Sequence, residues 1–133
     1  MGLLSNISEE KGIIEFLDLL ETMLKNNPNI NLLIGGPFTN KTVKQKVLSR
    51  IKELEGIEWI DPVYCAGKKK FFRKNNFFVF SEKYSNEAEP LIIYEAFPHG
   101  IPVVAYGRGC IPEQIGSNAL LGKVVLPWIQ HFY

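Results

Sequence analysis

The chain is poor in the residues that the commonest chemistries require. It has two cysteines, Cys65 and Cys110, far apart and without metal-ligand spacing. This argues against a zinc knuckle or a disulfide framework and leaves reduced thiols in a cytosolic protein as the expectation. The two histidines, His99 and His131, have no partner at metal-ligand spacing, so no metal is expected. His99, where a helix is expected to end, instead suits a charge–dipole contact. No serine sits in a G-x-S-x-G elbow and no histidine stands near a cysteine, which removes the usual acyl-transfer nucleophiles. Neither G-x-G-x-x-G after the first strand nor G-x-x-x-x-G-K-[ST] occurs, so nicotinamide and P-loop binding lack support. No apolar run is long enough for a membrane span, and the start lacks a signal-peptide pattern. A net charge of +1 supplies no general attraction to nucleic acid or acidic lipid.

What the chain does have is the balance of one globular domain, 133 residues with 46% hydrophobic and 22% charged side chains. Gly2 to Asn6 reads as the end of a strand whose beginning is cut away. Ser8 is expected to cap a helix with Glu9 and Glu10 in its first turn, and Ile13, Phe16, Leu17, Leu20, Met23 and Leu24 share one helical face. Asn26 to Pro28 ends that helix, Ile30 to Ile34 forms a buried strand, and Gly35-Gly36-Pro37 breaks it. The glycine pair is either a plain turn or a place for close backbone approach to a ligand. A second helix is expected from Lys41 to Leu54, its lysines and Arg50 a solvated face. A strand over Ile57 to Ile60 follows, then a short helix over Lys68 to Lys74 with Phe71 and Phe72 turned inward. Because those aromatics fall at core positions, the basic run around them is not read as a nucleic-acid site. Phe77 to Phe80 reads as a strand buried on both faces. A helix from Pro90, a strand from Pro102 to Ala105, a short helix near Ile111 to Ile115 and an apolar segment from Leu120 to Leu126 complete the chain.

Strands and helices thus alternate, which predicts an α/β fold: a Rossmann-like parallel sheet with helices on both faces, in a single domain. Ligands in such sheets sit beyond the carboxyl ends of the strands. Among the loops expected there, Asn86 to Gly100 stands out. Glu87 lies in a loop, Pro90 starts a helix, and Glu95 falls within a run that is otherwise apolar, which predicts a buried helix with a carboxylate aimed into a cleft. With Lys11 at another strand end and the free amides of a helix start, these carboxylates suit a sugar nucleotide: carboxylates accept from hydroxyls, and lysine and amides hold a diphosphate. Taken singly, Glu87 and Lys11 also read as ordinary surface residues.

The segment NEAEPLIIYEAFPHGIPVVAYGRGCIPEQIG resembles the signature of retaining glycosyltransferases of the glycosyl transferase group 1 family, of two-domain GT-B architecture. Glu87 and Glu95, with seven residues between them, match its paired glutamates. SNISEEKG is similar to the family's phosphate-binding loop, with Lys11 at the lysine position. WIDPVYCAGKKKFF resembles its nucleotide-base loop, with Val63 and Lys68 at contact positions. The resemblance implies that Glu87 binds the donor sugar and Glu95 the ribose. It also implies that Lys11, with the backbone of Ala88, Glu89, Pro90 and Leu91, neutralises the leaving nucleoside diphosphate without a metal or other cofactor. Asn6 stands where many members carry an arginine, so Lys11 acts alone or with help from Arg108. The chain is expected to be the donor-binding half, lacking the N-terminal acceptor-binding domain, and inactive in transfer by itself. Its tail, Leu126 to Tyr133, with Trp128, Ile129, Phe132 and Tyr133, then reads as a cut interface rather than a membrane anchor. The expected partner is a nucleotide sugar and not nucleic acid. The expected location is cytoplasmic, with membrane contact only through a full-length enzyme. The alternative is a non-catalytic nucleotide-sugar binding module that completes a partner chain, or an unrelated Rossmann-like interaction domain.

Overall fold

The computed structural model describes residues 1–82, 90–107, 109–115 and 120–122. Glu87, Ala88, Glu89, Arg108 and the aromatic tail lie outside them. The described chain alternates as expected. Strand β1 (Gly2–Leu4) leads to α1 (Ile13–Asn26), β2 (Leu32–Gly35), α2 (Lys41–Glu53), β3 (Ile57–Ile60), α3 (Ala66–Arg73) and β4 (Phe78–Phe80). Then come α4 (Leu91–Ala96), a 3₁₀ turn (Phe97–His99), β5 (Val103–Tyr106), α5 (Ile111–Ile115) and β6 (Leu120–Gly122). The strands form one parallel sheet in the order β3-β2-β1-β4-β5-β6. The chain therefore winds outward from β1 to β3, crosses back, and winds outward again from β4. The reversal lies between β1 and β4, and a doubly wound sheet opens its crevice at such a point.

Side-chain alternation along the strands builds two cores. Leu3, Ile34 and Val79 face α1 and α2, meeting Phe16, Leu17, Leu20, Val43, Val47 and Ile51. Leu4, Phe78 and Phe80 face the other way, toward Phe71, Phe72, Ile93, Ala96, Ile111 and Ile115. Phe72 is the hub of the second core: its ring meets Phe78 edge-on at 5.3 Å and stacks on His99 at 5.2 Å. On the outer face of the first layer, Arg50 of α2 ties down α1, with Nη1 2.8 Å from Asp18 and a very short contact to Glu21. The hydrogen bond to Glu21 is the leading reason that the Arg50 guanidinium is held above its ordinary pKa; burial opposes it and Asp18 adds to it.

Three local expectations are corrected. Ser8 does not cap α1. Its Oγ accepts from the Lys11 amide at 3.2 Å, and an extra turn intervenes before Gly12, in the left-handed region at φ 83°, opens the helix at Ile13. Strand β2 begins at Leu32 rather than Ile30: its pairing with β3 begins at Leu32 and that with β1 at Leu33. Helix α4 is not buried on every side. It is six residues long, anchored by fully buried Ile93 and Ala96, while Leu91 is 70% and Tyr94 41% exposed. An apolar composition all round predicts burial only when neighbours surround the helix, and one short helix packed on a sheet has a single covered face.

Candidate functional site

Beyond the carboxyl ends of β1 to β4 lies an open cleft of about 460 Å³. Its floor and first wall come from the β1 and β2 loops, whose backbones are laced together. Ser5 N donates to Gly35 O at 3.1 Å, Ile7 N to Pro37 O at 2.8 Å, and Thr39 N to Ile7 O at 3.1 Å. Gly36, at φ 132°, lets the loops touch: a Cβ there would lie 1.8 Å from Ser5 O. The glycine pair thus serves close approach, but between two loops of the chain itself.

This lacing fixes the turn that presents Lys11 into the cleft. Lys11 Nζ lies 2.8 Å from Oε1 of Glu82, two residues past β4, and Ser5 Oγ donates to the same oxygen at 2.7 Å. Glu82 is 7% exposed and Lys11 27%. The pair therefore bridges the reversal point of the sheet, joining the residues that follow β1 to those that follow β4. At the opposite wall, Lys68 of α3 pairs with Glu95 of α4 at 2.6 Å. The Glu95 side chain is 42% exposed and lines the cleft. The expectation of a carboxylate within a fully buried helix is corrected accordingly: its ammonium partner and contact with water meet the cost of its charge.

Seven of the residues singled out in the sequence thus line one cleft: Asn6, Lys11, Val63, Lys68, Pro90, Leu91 and Glu95. Pro90 is extended (φ −70°, ψ 102°) and precedes α4 instead of occupying its first turn, its carbonyl accepting from Gln114 Nε2 at 3.0 Å. A six-residue helix aligns few peptide dipoles, so anion attraction here falls on the lysines. Glu87, Ala88 and Glu89 lie outside the described residues. Sequence reasoning missed Glu82 and Ser5. The signal for Glu82 was its position, the first acid after the apolar run FFVF, just past a strand adjoining β1. Among the described residues no group of three or more His, Cys, Asp or Glu side chains could hold a metal, and no helix is long and apolar enough to cross a membrane.

Residues 2–126 match the profile of glycosyl transferases group 1. The chain belongs to that family. A comparison with curated protein sequences finds no match. Among solved structures, it is similar to the C-terminal domain of a glycosyl transferase group 1 family protein (LpcC) from Francisella tularensis. The TM-score is 0.79 at 21% identity, covering 98% of this chain and 71% of that one. It is also similar to Anabaena Alr3699/HepE in complex with UDP-glucose, with a TM-score of 0.77 and 20% identity over 91% of this chain and 34% of that one. The pneumococcal O-GlcNAc transferase GtfA, in complex with UDP and GlcNAc, gives 0.75 and 14%, over 98% and 26%. The family member described here thus spans about a quarter to a third of the length of the last two. Its fold is the Rossmann-like half of a GT-B enzyme.

Proposed function

We propose that this domain binds the donor of a retaining glycosyltransferase, a nucleoside-diphosphate sugar from which the complete enzyme transfers the sugar to an acceptor. The observation that carries this reading is the pairing of two ammonium groups with two carboxylates, Lys11 with Glu82 and Lys68 with Glu95, around one cleft at the sheet's reversal point. Such a lining suits a ligand that brings both anionic oxygens and hydroxyl donors. Phosphate oxygens accept from the Lys11 ammonium, base acceptors from Lys68, and hydroxyls donate to the carboxylates. A nucleoside diphosphate joined to a sugar carries both kinds of group within one molecule. The UDP and UDP-glucose complexes of similar folds support the same chemistry.

In this reading Lys11 stabilises the charge that develops on the leaving diphosphate, the backbone from Ala88 to Leu91 adds donors, and no metal is required. Glu95 accepts from the ribose and Glu87 from the donor sugar. Val63 and Lys68 flank the base, with Asn6 beside the phosphates. The acceptor comes from an N-terminal domain, so this chain alone binds nucleotide weakly and transfers nothing. The full enzyme works in the cytoplasm.

Calorimetric titration with UDP, GDP and ADP tests the proposal. One of the three is expected to bind, and Lys11→Ala to weaken that binding at least tenfold with the fold intact by circular dichroism. Absence of binding by all three at millimolar concentration, or an unchanged affinity in Lys11→Ala, overturns it.

A further inference from the structure

The lysine expected to hold the diphosphate already has an anion. Lys11 Nζ lies 2.8 Å from Glu82 Oε1, and that carboxylate is fixed from a second side by Ser5 Oγ at 2.7 Å. At 7% exposure Glu82 cannot turn out into water to make room. It lies two residues past β4 and lines the cleft together with Phe80. Among the described residues lining the cleft, the cations are Lys11 and Lys68 and the anions Glu82 and Glu95, so the charges of the described lining cancel. Asn6, at the end of β1, adds none.

From this arrangement we infer that Glu82 is a specificity-determining residue: it holds Lys11 in the empty site and discriminates against bare phosphate anions. The inference rests on the nucleotide-sugar reading above and deepens it. An ammonium has three N–H donors, so an incoming phosphate oxygen can share Lys11 with Glu82 without displacing it. Two acceptors on one tetrahedral ammonium stand about 4.6 Å apart at ordinary hydrogen-bond lengths. A carboxylate held at that distance in a part-buried site weakens binding of an anion by about ten- to a hundredfold. A ligand that carries only negative charge meets this repulsion undiminished. One that also brings a hydroxyl or amide donor can place it on the carboxylate and recover part of the loss. The buried acid thus costs affinity for every phosphate, and costs most for those with no donor beside the anion.

The test uses Glu82→Gln, which keeps shape and an acceptor for Ser5 but removes the charge. Inorganic pyrophosphate and UDP are titrated into the chain and into the variant at two salt concentrations. Pyrophosphate is expected to bind the variant about tenfold or more tighter, with a steeper salt dependence, and UDP to gain less. A loss of structure would lower both affinities, so a gain separates the charge effect from damage. Glu82→Asp, which retains the charge, is expected to leave pyrophosphate binding weak; should it fail to fold, the Gln variant alone decides. Pyrophosphate affinity that is unchanged or lower in Glu82→Gln overturns the inference, and so does an equal gain for both ligands. If the unaltered chain binds UDP and the variant shows no gain, only this inference fails. If the unaltered chain binds no nucleotide but Glu82→Gln gains pyrophosphate, the nucleotide-sugar reading fails and the role of Glu82 stands. If neither protein binds either ligand, both fall.

Discussion

Lys68 Nζ lies 2.6 Å from Glu95 Oε2, so the helices that follow β3 and β4 are joined across the rim of the cleft by one ion pair. Both partners are about a third or more exposed, at 32% and 42%. A pair this wet contributes about 0–1 kcal/mol to stability. In the proposed reading its value to the domain lies in the ligand. Glu95→Ala is expected to leave the unfolding free energy within about 0.5 kcal/mol of the parent, read by urea denaturation. The same variant is expected to weaken nucleoside-diphosphate binding about tenfold, read by calorimetry. A large stability loss with unaltered binding would make Glu95 a structural residue.

What was legible in the chain was local. The periodicity of Phe16, Leu20, Val43, Val47, Phe71 and Phe72 announced the helices and their inward faces, and all six are buried. Alternation of strand and helix announced the parallel sheet. Of the seven cleft residues, Lys11, Pro90 and Glu95 were named from their own chemistry and placement at strand ends, whereas Asn6, Val63, Lys68 and Leu91 came from the resemblance to the family's loops. What stayed hidden depends on partners distant in sequence or on one extra turn. Glu82 meets Lys11 across 71 positions, and nothing near either residue marks the pairing. Ser8 looked like a helix cap because a capping residue and a turn residue bind backbone amides in the same way. The exposed side of α4 was hidden too, since the residues themselves do not say whether a second layer covers them.

The second core supplies a sharp contrast in stability. Phe72 is 1% exposed and wedged between Phe71, Phe78 and His99. Phe72→Ala removes a ring that no neighbour can replace, and the expected loss is about 3–5 kcal/mol. Leu91, 70% exposed on α4, has almost no such contacts to lose, so Leu91→Ala should stay within about 0.5 kcal/mol. Chemical denaturation of both variants reads the difference; equal losses would mean that α4 is packed otherwise.

Caps distinguish the two helices of the first layer. Asn40 Oδ1 accepts from the Val43 amide at 2.8 Å, closing the start of α2, so Asn40→Ala should cost about 1 kcal/mol. Ser8 accepts from the Lys11 amide instead, and its side chain holds the turn that aims that lysine. Ser8→Ala is therefore expected to weaken nucleoside-diphosphate binding severalfold, whereas Asn40→Ala, which removes a bond to the Val43 amide and none to the Lys11 turn, leaves binding unchanged. Identical binding losses in the two variants would remove the special role of the Ser8 turn.

The loops that build the cleft floor set the strictest demand on sequence. Gly36 combines a φ of 132° with a Ser5 carbonyl so near that a Cβ would sit 1.8 Å from its oxygen. Either the backbone must rotate or the β1 and β2 loops must part, and parting them breaks the Ser5–Gly35 and Ile7–Pro37 hydrogen bonds. Gly100 also has a positive φ, 66°, but nothing within 4 Å of a Cβ. Gly100→Ala then meets only the conformational penalty, about 1 kcal/mol. Gly36→Ala adds the collision, and its expected cost exceeds about 3 kcal/mol. Because the same loops position Lys11, a Gly36→Ala protein that still folds should also bind nucleotide worse than Gly100→Ala does. Comparable unfolding midpoints for the two variants would show that the floor can yield, and that the geometry around Lys11 is less rigid than the interlocked backbones require.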